Sequence, residues 1–146
     1  MKVEIKIDGD CTEPKIVVVT DKVTDEINEI IKTLSEERAS VIAGFTDGQA
    51  TVLEPETIYR VYSSGGKVYA ETENGEYLLR LRLYEAEQSL SNCSFARISN
   101  GEIINIKKVK GFDLSFVGTI RVSLTNGTVT YVSRRYVSKI KKLLGL

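Results

Sequence analysis

The chain contains no histidine. That removes Ser-His-Asp and Cys-His catalysis, and imidazole ligation of a metal, in one step. Its two cysteines, Cys11 and Cys93, stand far apart with no CxxC context. Two thiolates fall short of a four-thiolate zinc site, and in a reducing compartment they read as free thiols. Neither GxxxxGK[ST] nor GxGxxG occurs, so no phosphate-cradling loop is indicated. No pair of carboxylates stands out for acid–base work. No apolar run approaches membrane-spanning length, and the N-terminus MKVEIKIDGD has charges where a signal peptide has its apolar region. These absences predict a cytoplasmic protein that is not an enzyme and holds no cofactor or metal. Its 146 residues suffice for one domain with a core and are short for two.

Charge is present in abundance but unevenly divided. The formal net charge is zero. Residues 95–146 nevertheless hold ten Lys/Arg and two acidic residues, a net of +8, and residues 1–94 hold ten basic and eighteen acidic, a net of −8. Such asymmetry points to a polyanion-binding face on one part of the chain and a solubilising face on another. The alternative is that the two segments interleave in space and cancel.

The periodicities run as follows along the chain. Met1–Asp8 alternates Val3, Ile5 and Ile7 with Glu4, Lys6 and Asp8, the pattern of a half-buried strand. Lys15–Thr20 is β-branched and predicts a second strand. Over Val23–Leu34 the period changes. Ile27, Ile30, Ile31 and Leu34 predict an amphipathic helix with Thr24 as N-cap and Asp25 and Glu26 at its positive end. Together these make a small β-β-α unit at residues 1–44, followed after the polar stretch Leu34–Ser40 by a main domain at 45–146. So small a unit is expected to pack on the remainder or on a partner.

Asp47-Gly48, Ser63-Ser64-Gly65-Gly66, Asn74-Gly75 and Asn126-Gly127 each separate β-prone runs and predict hairpins. Leu83, Ala86 and Leu90 take helical spacing and predict a short helix. The last element, Arg134–Leu144, has Tyr136, Val137, Ile140, Leu143 and Leu144 as its apolar stripe. Ser133 is its candidate cap and Gly145 its stop. Repeated hairpins with a few short helices make a mainly β, antiparallel protein.

Phe95–Phe112, FARISNGEIINIKKVKGF, organises the basic third. It reads as a strand, a polar turn at Ser99-Asn100-Gly101, a second strand and a cationic exit through Lys107, Lys108 and Lys110. That is one way to hold side chains rigidly at a surface. Arg donates two bonds to guanine O6 and N7, and Asn pairs with adenine N6 and N7. Ser133, Lys139 and the start of the last helix suit phosphate oxygens. The bland alternatives stay beside these: surface solubility for Arg134 and Arg135, a plain turn former for Asn100. Asn105 reads as a structural hydrogen-bonder and Tyr136 as core.

Three segments carry a resemblance to a known family. They are EPETIYRVYSSGGKVYAETENGEYLLRLRLYEAEQSL, then FARISNGEIINIKKV, then NGTVTYVSRRYVSKIKKLL. Residues 45–146 resemble the LytTR DNA-binding domain, the output module of many bacterial response regulators. Phe95, Arg97, Asn105, Ser133 and Arg135 occupy its signature slots. The chain looks like a stand-alone version with no receiver domain. The resemblance implies an elongated fold of three antiparallel sheets with short helices, whose edge loops enter successive major grooves of double-stranded DNA. It implies that Asn100 reads DNA from the loop after the first signature strand, and that Arg135 reaches a base edge. The family's third contact comes from the loop within residues 57–71. Here Gly65-Gly66 replaces a longer loop, leaving Lys67 as the candidate. Ser99, where many members have His, is expected to meet phosphate.

The resulting expectation is a transcriptional regulator contacting duplex DNA through Lys67, Ser99, Asn100, Ser133, Arg134, Arg135 and Lys139. Two chains are expected on paired half-sites as a homodimer, joined through residues 1–44. The rival is a non-catalytic interaction module working with a membrane-protein partner. An RNA-binding β protein ranks last, for want of exposed aromatic pairs to stack bases.

Overall fold

Among the described residues, strand pairing begins at Ile42. The structure, a computed structural model, describes residues 1–35 and 41–146. Most of the expected linker Leu34–Ser40 therefore lies outside the described residues. By Cα proximity the chain forms two units, Met1–Glu37 and Arg38–Leu146.

In the first unit the helix α1 (Asp25–Ser35) forms as its period dictates, and the Thr24 hydroxyl caps it by accepting the Ile27 N–H at 3.3 Å. The two expected strands do not form. Residues 1–8 and 15–20 are neither strand nor helix, and Val3, Ile5, Ile7, Ile16, Val17 and Val19 are exposed. The physical reason is that a strand is completed by a neighbour: an alternating sequence without a ladder gains neither hydrogen bonds nor burial.

The second unit is mainly β. Its first sheet holds seven antiparallel strands, numbered in chain order: β1 (Ile42–Thr46), β2 (Gln49–Leu53), β3 (Ile58–Ser64), β4 (Lys67–Thr72), β5 (Gly75–Leu79), β6 (Phe95–Ser99) and β7 (Glu102–Asn105). Their spatial order is β2-β1-β5-β4-β3-β7-β6. A second sheet has β8 (Val109–Asp113), β9 (Ile120–Leu124) and β10 (Val129–Val132), ordered β10-β9-β8. Two short helices complete the unit, α2 (Leu83–Ser89) and α3 (Val137–Leu143).

Among the described residues two antiparallel sheets stand where the family resemblance implied three. The β1–β2 hairpin joins the middle strands through Gly44↔Leu79 and Phe45↔Leu78. Gly44 permits this approach, because a Cβ there would fall 2.7 Å from Tyr77 Cβ. The cationic exit after Asn105 also differs from expectation. It is a 3-10 turn at Ile106–Lys108 that leads into β8, so Lys110 lies on a strand.

Two apolar cores lie on opposite faces of the large sheet. Ile58, Val61, Leu79 and Ile103 pack with Leu83, Ala86 and Leu90 of the α2 region. Ile98 and Ile104 pack with Ile120, Val122, Val132 and Ile140, from the second sheet and α3. The strand β7 is buried at every position because its neighbours Ile103 and Ile104 face different cores. A strand covered on both faces reads as a continuous apolar run, as EIIN does.

Polar side chains bridge the sheets beside the second core. Arg60 on β3 donates to Glu71 at 2.5 Å and to Glu102 at 2.6 Å. Thr128 reaches Glu71 at 2.8 Å, and Thr130 donates to Glu102. Burial works against the Arg60 charge, but the two carboxylates outweigh it and hold its pKa above the ordinary value.

Candidate nucleic-acid interface

Turn chemistry brings three loops to one edge of the large sheet. The β3–β4 turn uses Gly65 and Gly66, both at positive φ (58° and 78°), which a two-residue hairpin of primed type requires. This hairpin leaves Ser64 paired with Lys67, whose side chain is exposed. The β6–β7 turn, Asn100-Gly101, lies alongside. Ser63 N–H donates to Gly101 O at 2.8 Å, and a Cβ on Gly101 would stand 3.2 Å from Ser63 Oγ. Here glycine serves the close approach of two loops. The third loop follows β10: Ser133 N–H donates to Ile98 O at 2.8 Å, fastening the start of the last helical segment to β6.

Within this edge Asn100 is exposed but held. Its side-chain oxygen accepts from the Tyr136 hydroxyl at 3.2 Å. Its carbonyl accepts from Arg97 Nη2 at 2.6 Å, while Arg97 Nε donates to Ser99 O at 2.6 Å and Nη1 meets Glu87 at 3.4 Å. Arg97 thus staples both backbone carbonyls of the turn from beneath. The Ser99 hydroxyl accepts the Gly101 N–H at 3.2 Å, which leaves its own proton to donate.

The last segment is not one helix from Arg134 to Leu144. Arg134–Tyr136 is a 3-10 turn, and α3 begins at Val137. The Ser133 hydroxyl makes no cap bond, contrary to the expected N-cap; the Ser133 carbonyl instead accepts the Tyr136 N–H at 2.8 Å and closes the 3-10 turn. Gly145, at φ 80°, ends α3 as expected, with Gly145 N–H on Lys142 O and Leu146 N–H on Lys141 O. Arg134 is exposed and lies against Gly118, where a Cβ would meet its Nε at 3.5 Å. Arg135 is exposed and, among the described residues, has no side-chain partner. Lys139 is exposed on α3 beside the buried Ile140, and no hydrogen bond ties it to the three loops.

The fold therefore brings Lys67, Ser99, Asn100, Ser133, Arg134 and Arg135 to neighbouring loops and places Lys139 further along α3. Sequence reasoning gave Arg97 a family-signature slot but no contact, and read Tyr136 as core, where its ring does pack. Both position Asn100. Arg97 carried a signal, since a cation inside a strand two residues before a turn has its carbonyls in reach. Tyr136 had none, because its partner lies 36 residues away. Asn105 is the buried structural hydrogen-bonder expected: Nδ2 donates to Ile58 O at 2.9 Å and Oδ1 accepts Lys107 N–H at 3.1 Å.

Comparison with known proteins bears on the family and the fold. A family profile described as the LytTR DNA-binding domain matches residues 48–145. A Staphylococcus aureus protein (strain NCTC 8325 / PS 47) named an HTH-type transcriptional regulator is 31% identical over 147 residues, spanning 100% of this chain and 99% of its own. Its counterpart in strain MRSA252 is 30% identical over the same extent. A solved LytTR DNA-binding domain from Bacillus cereus superposes with a TM-score of 0.69 at 26% identity, covering 73% of this chain and 98% of that one. The helix-turn-helix in the relatives' name has no counterpart among the described residues, where strands separate α1 from α2 and α2 from α3.

Proposed function

This chain belongs to the LytTR DNA-binding domain family and is a DNA-binding transcriptional regulator, and from that premise we propose that it reads duplex DNA through the loop edge described above. Asn100 and Arg135 are the base readers. Ser99, Ser133, Arg134, Lys67 and Lys139 meet phosphates and set the register. The observation that carries this reading is the pairing of a restrained Asn100 with Arg135. One amide is oriented by Tyr136 over a turn stapled by Arg97, and Arg135, the residue before Tyr136, is exposed with no partner among the described residues. A preorganised amide loses less freedom on binding a base edge.

The protein works in the cytoplasm, where its DNA is. No helix among the described residues is long and apolar enough to cross a membrane. Its role is binding rather than catalysis. It occupies paired half-sites as a homodimer, and residues 1–44 supply the self-association.

The test begins by selecting the operator from genomic fragments retained by the protein. Binding isotherms for Asn100→Ala and Arg135→Ala are then measured on that operator and on random duplex. Each variant is expected to lose about 1–3 kcal/mol on the operator and much less on random DNA. Equal losses on both duplexes for Arg135→Ala make it a phosphate contact, and no loss for either variant overturns the assignment.

A further inference from the structure

Residues 1–8 combine two properties that conflict in a single chain. Their sequence alternates as a strand does, yet Val3, Ile5 and Ile7 are 85%, 90% and 92% exposed and pair with nothing among the described residues of their unit. The charges alternate as well: Lys2, Glu4, Lys6, Asp8. The ion pair Lys2–Glu4 at 3.0 Å shows these side chains sharing one side. A turn closes the segment, with the Asp8 carboxylate accepting Asp10 N–H at 3.0 Å and Asp8 O accepting Cys11 N–H at 3.1 Å.

This sequence is complementary to itself in one arrangement. Laid antiparallel on a second copy with Ile5 opposite Ile5, it sets Val3 against Ile7, Lys2 against Asp8 and Glu4 against Lys6. Every apolar residue then faces an apolar one and every charge its opposite. A slip by two residues in either direction sets Lys6 on Lys6 or Glu4 on Glu4. A slip by one sets lysine against isoleucine. Parallel pairing in register stacks every charge on its like. Opposite charges across a ladder stabilise it and like charges oppose it, so the pattern selects one register and one symmetry. A two-fold axis through Ile5 is the closed, isologous arrangement that homodimers favour.

We infer that Lys2–Asp8 is a dimerisation strand that pairs with the same segment of a second copy, antiparallel about Ile5. The two-stranded ribbon presents Val3, Ile5 and Ile7 of both copies on one face. A two-stranded ribbon is marginal alone. The exposed Ile16, Val17 and Val19 and the stripe of α1 supply apolar surface in the same unit to cover it. This deepens, and rests on, the reading of residues 1–44 as the self-association region. The first of the two missing strands then completes itself only in the dimer, which accounts for its strand-like sequence without strand structure.

The experiment is sedimentation of the full-length protein without DNA, for the native chain, Lys6→Glu and the double swap Glu4→Lys/Lys6→Glu. The native chain is expected to dimerise. Lys6→Glu puts two glutamates opposite each other on both sides of the axis and weakens the dimer about tenfold. The double swap restores opposite charges and most of the affinity. A native chain that stays monomeric overturns the proposal. So does a dimer indifferent to Lys6→Glu, or a loss that the swap fails to rescue. A dimer that resists Lys6→Glu but falls to Ile30→Asp in α1 overturns this strand while leaving self-association through residues 1–44 standing.

Discussion

The Tyr136 hydroxyl is the one side-chain bond holding the Asn100 amide among the described residues, and it spans two elements far apart in sequence. Without it the amide turns freely and loses orientation on reaching a base. Tyr136→Phe keeps the ring that packs on the second core and removes only the bond. It is expected to leave the unfolding midpoint in denaturant nearly unchanged and to cost about 0.5–1 kcal/mol on the operator, less than Asn100→Ala. The check is a pair of isotherms beside a urea melt. An operator affinity equal to the native value shows that Asn100 finds its pose without Tyr136. Loss of midpoint instead shows that the hydroxyl serves the fold. A combined Tyr136→Phe/Asn100→Ala variant should lose no more than Asn100→Ala alone, since the hydroxyl acts through the amide.

At the scale of elements, the hairpins were legible because each turn has a chemical signature. Gly65-Gly66 and Asp47-Gly48 adopt the positive φ values their sequences imply. The helices α1 and α2 followed from apolar spacing. Legibility failed where a partner decides the outcome. The strand-like residues 1–8 and 15–20 have no ladder among the described residues of their unit, and β8 read as a cationic exit because the residues that join it to β9, 114–119, carry no two-residue turn signature. The number of sheets turned on Gly44, whose role depends on Tyr77, 33 positions on. Of the candidate site, the exposed loop residues could be singled out from the sequence, and the contacts of Arg97 and Tyr136 that hold Asn100 could not. The face of β3, β4 and β5 gives a pH prediction of the same non-local kind. Tyr62 stacks on Tyr69, lies under Arg60 and donates its hydroxyl to Glu76. Burial, reinforced by the Glu76 carboxylate, pushes its phenol from an ordinary 10.0 up to about 12. Between these values the unfolded chain releases this proton and the folded chain keeps it. The stability this residue contributes is therefore full below pH 10 and falls as pH rises toward 12. Ultraviolet titration of the seven tyrosines should show one late ionisation, and Tyr62→Phe should remove it. A late step that persists in Tyr62→Phe belongs to another tyrosine.

Over the whole molecule, the +8 of residues 95–146 overstates the charge offered to DNA. Glu102 is committed to Arg60, on the other side of the acidic–basic division. Lys108 is committed to Glu73 at 2.8 Å, a bond that raises its pKa. The halves of the chain do interleave, but only in part. Lys139, Lys107 and Lys110 are exposed, and among the described residues none of the three makes an ion pair. Each phosphate neutralised by a free cation releases counterions and steepens the fall of affinity with salt. A lysine already beside a carboxylate neutralises less. Lys139→Ala is therefore expected to weaken binding to operator and random duplex alike and to flatten the logarithmic salt slope by about one. Lys108→Ala should flatten it by less, because Glu73 already neutralises much of that ammonium. The measurement is affinity at several salt concentrations for each variant on both duplexes. Equal flattening by the two would mean that the Lys108–Glu73 pair opens on DNA. An unchanged slope for Lys139→Ala would place α3 away from the phosphates and confine the interface to the three loops.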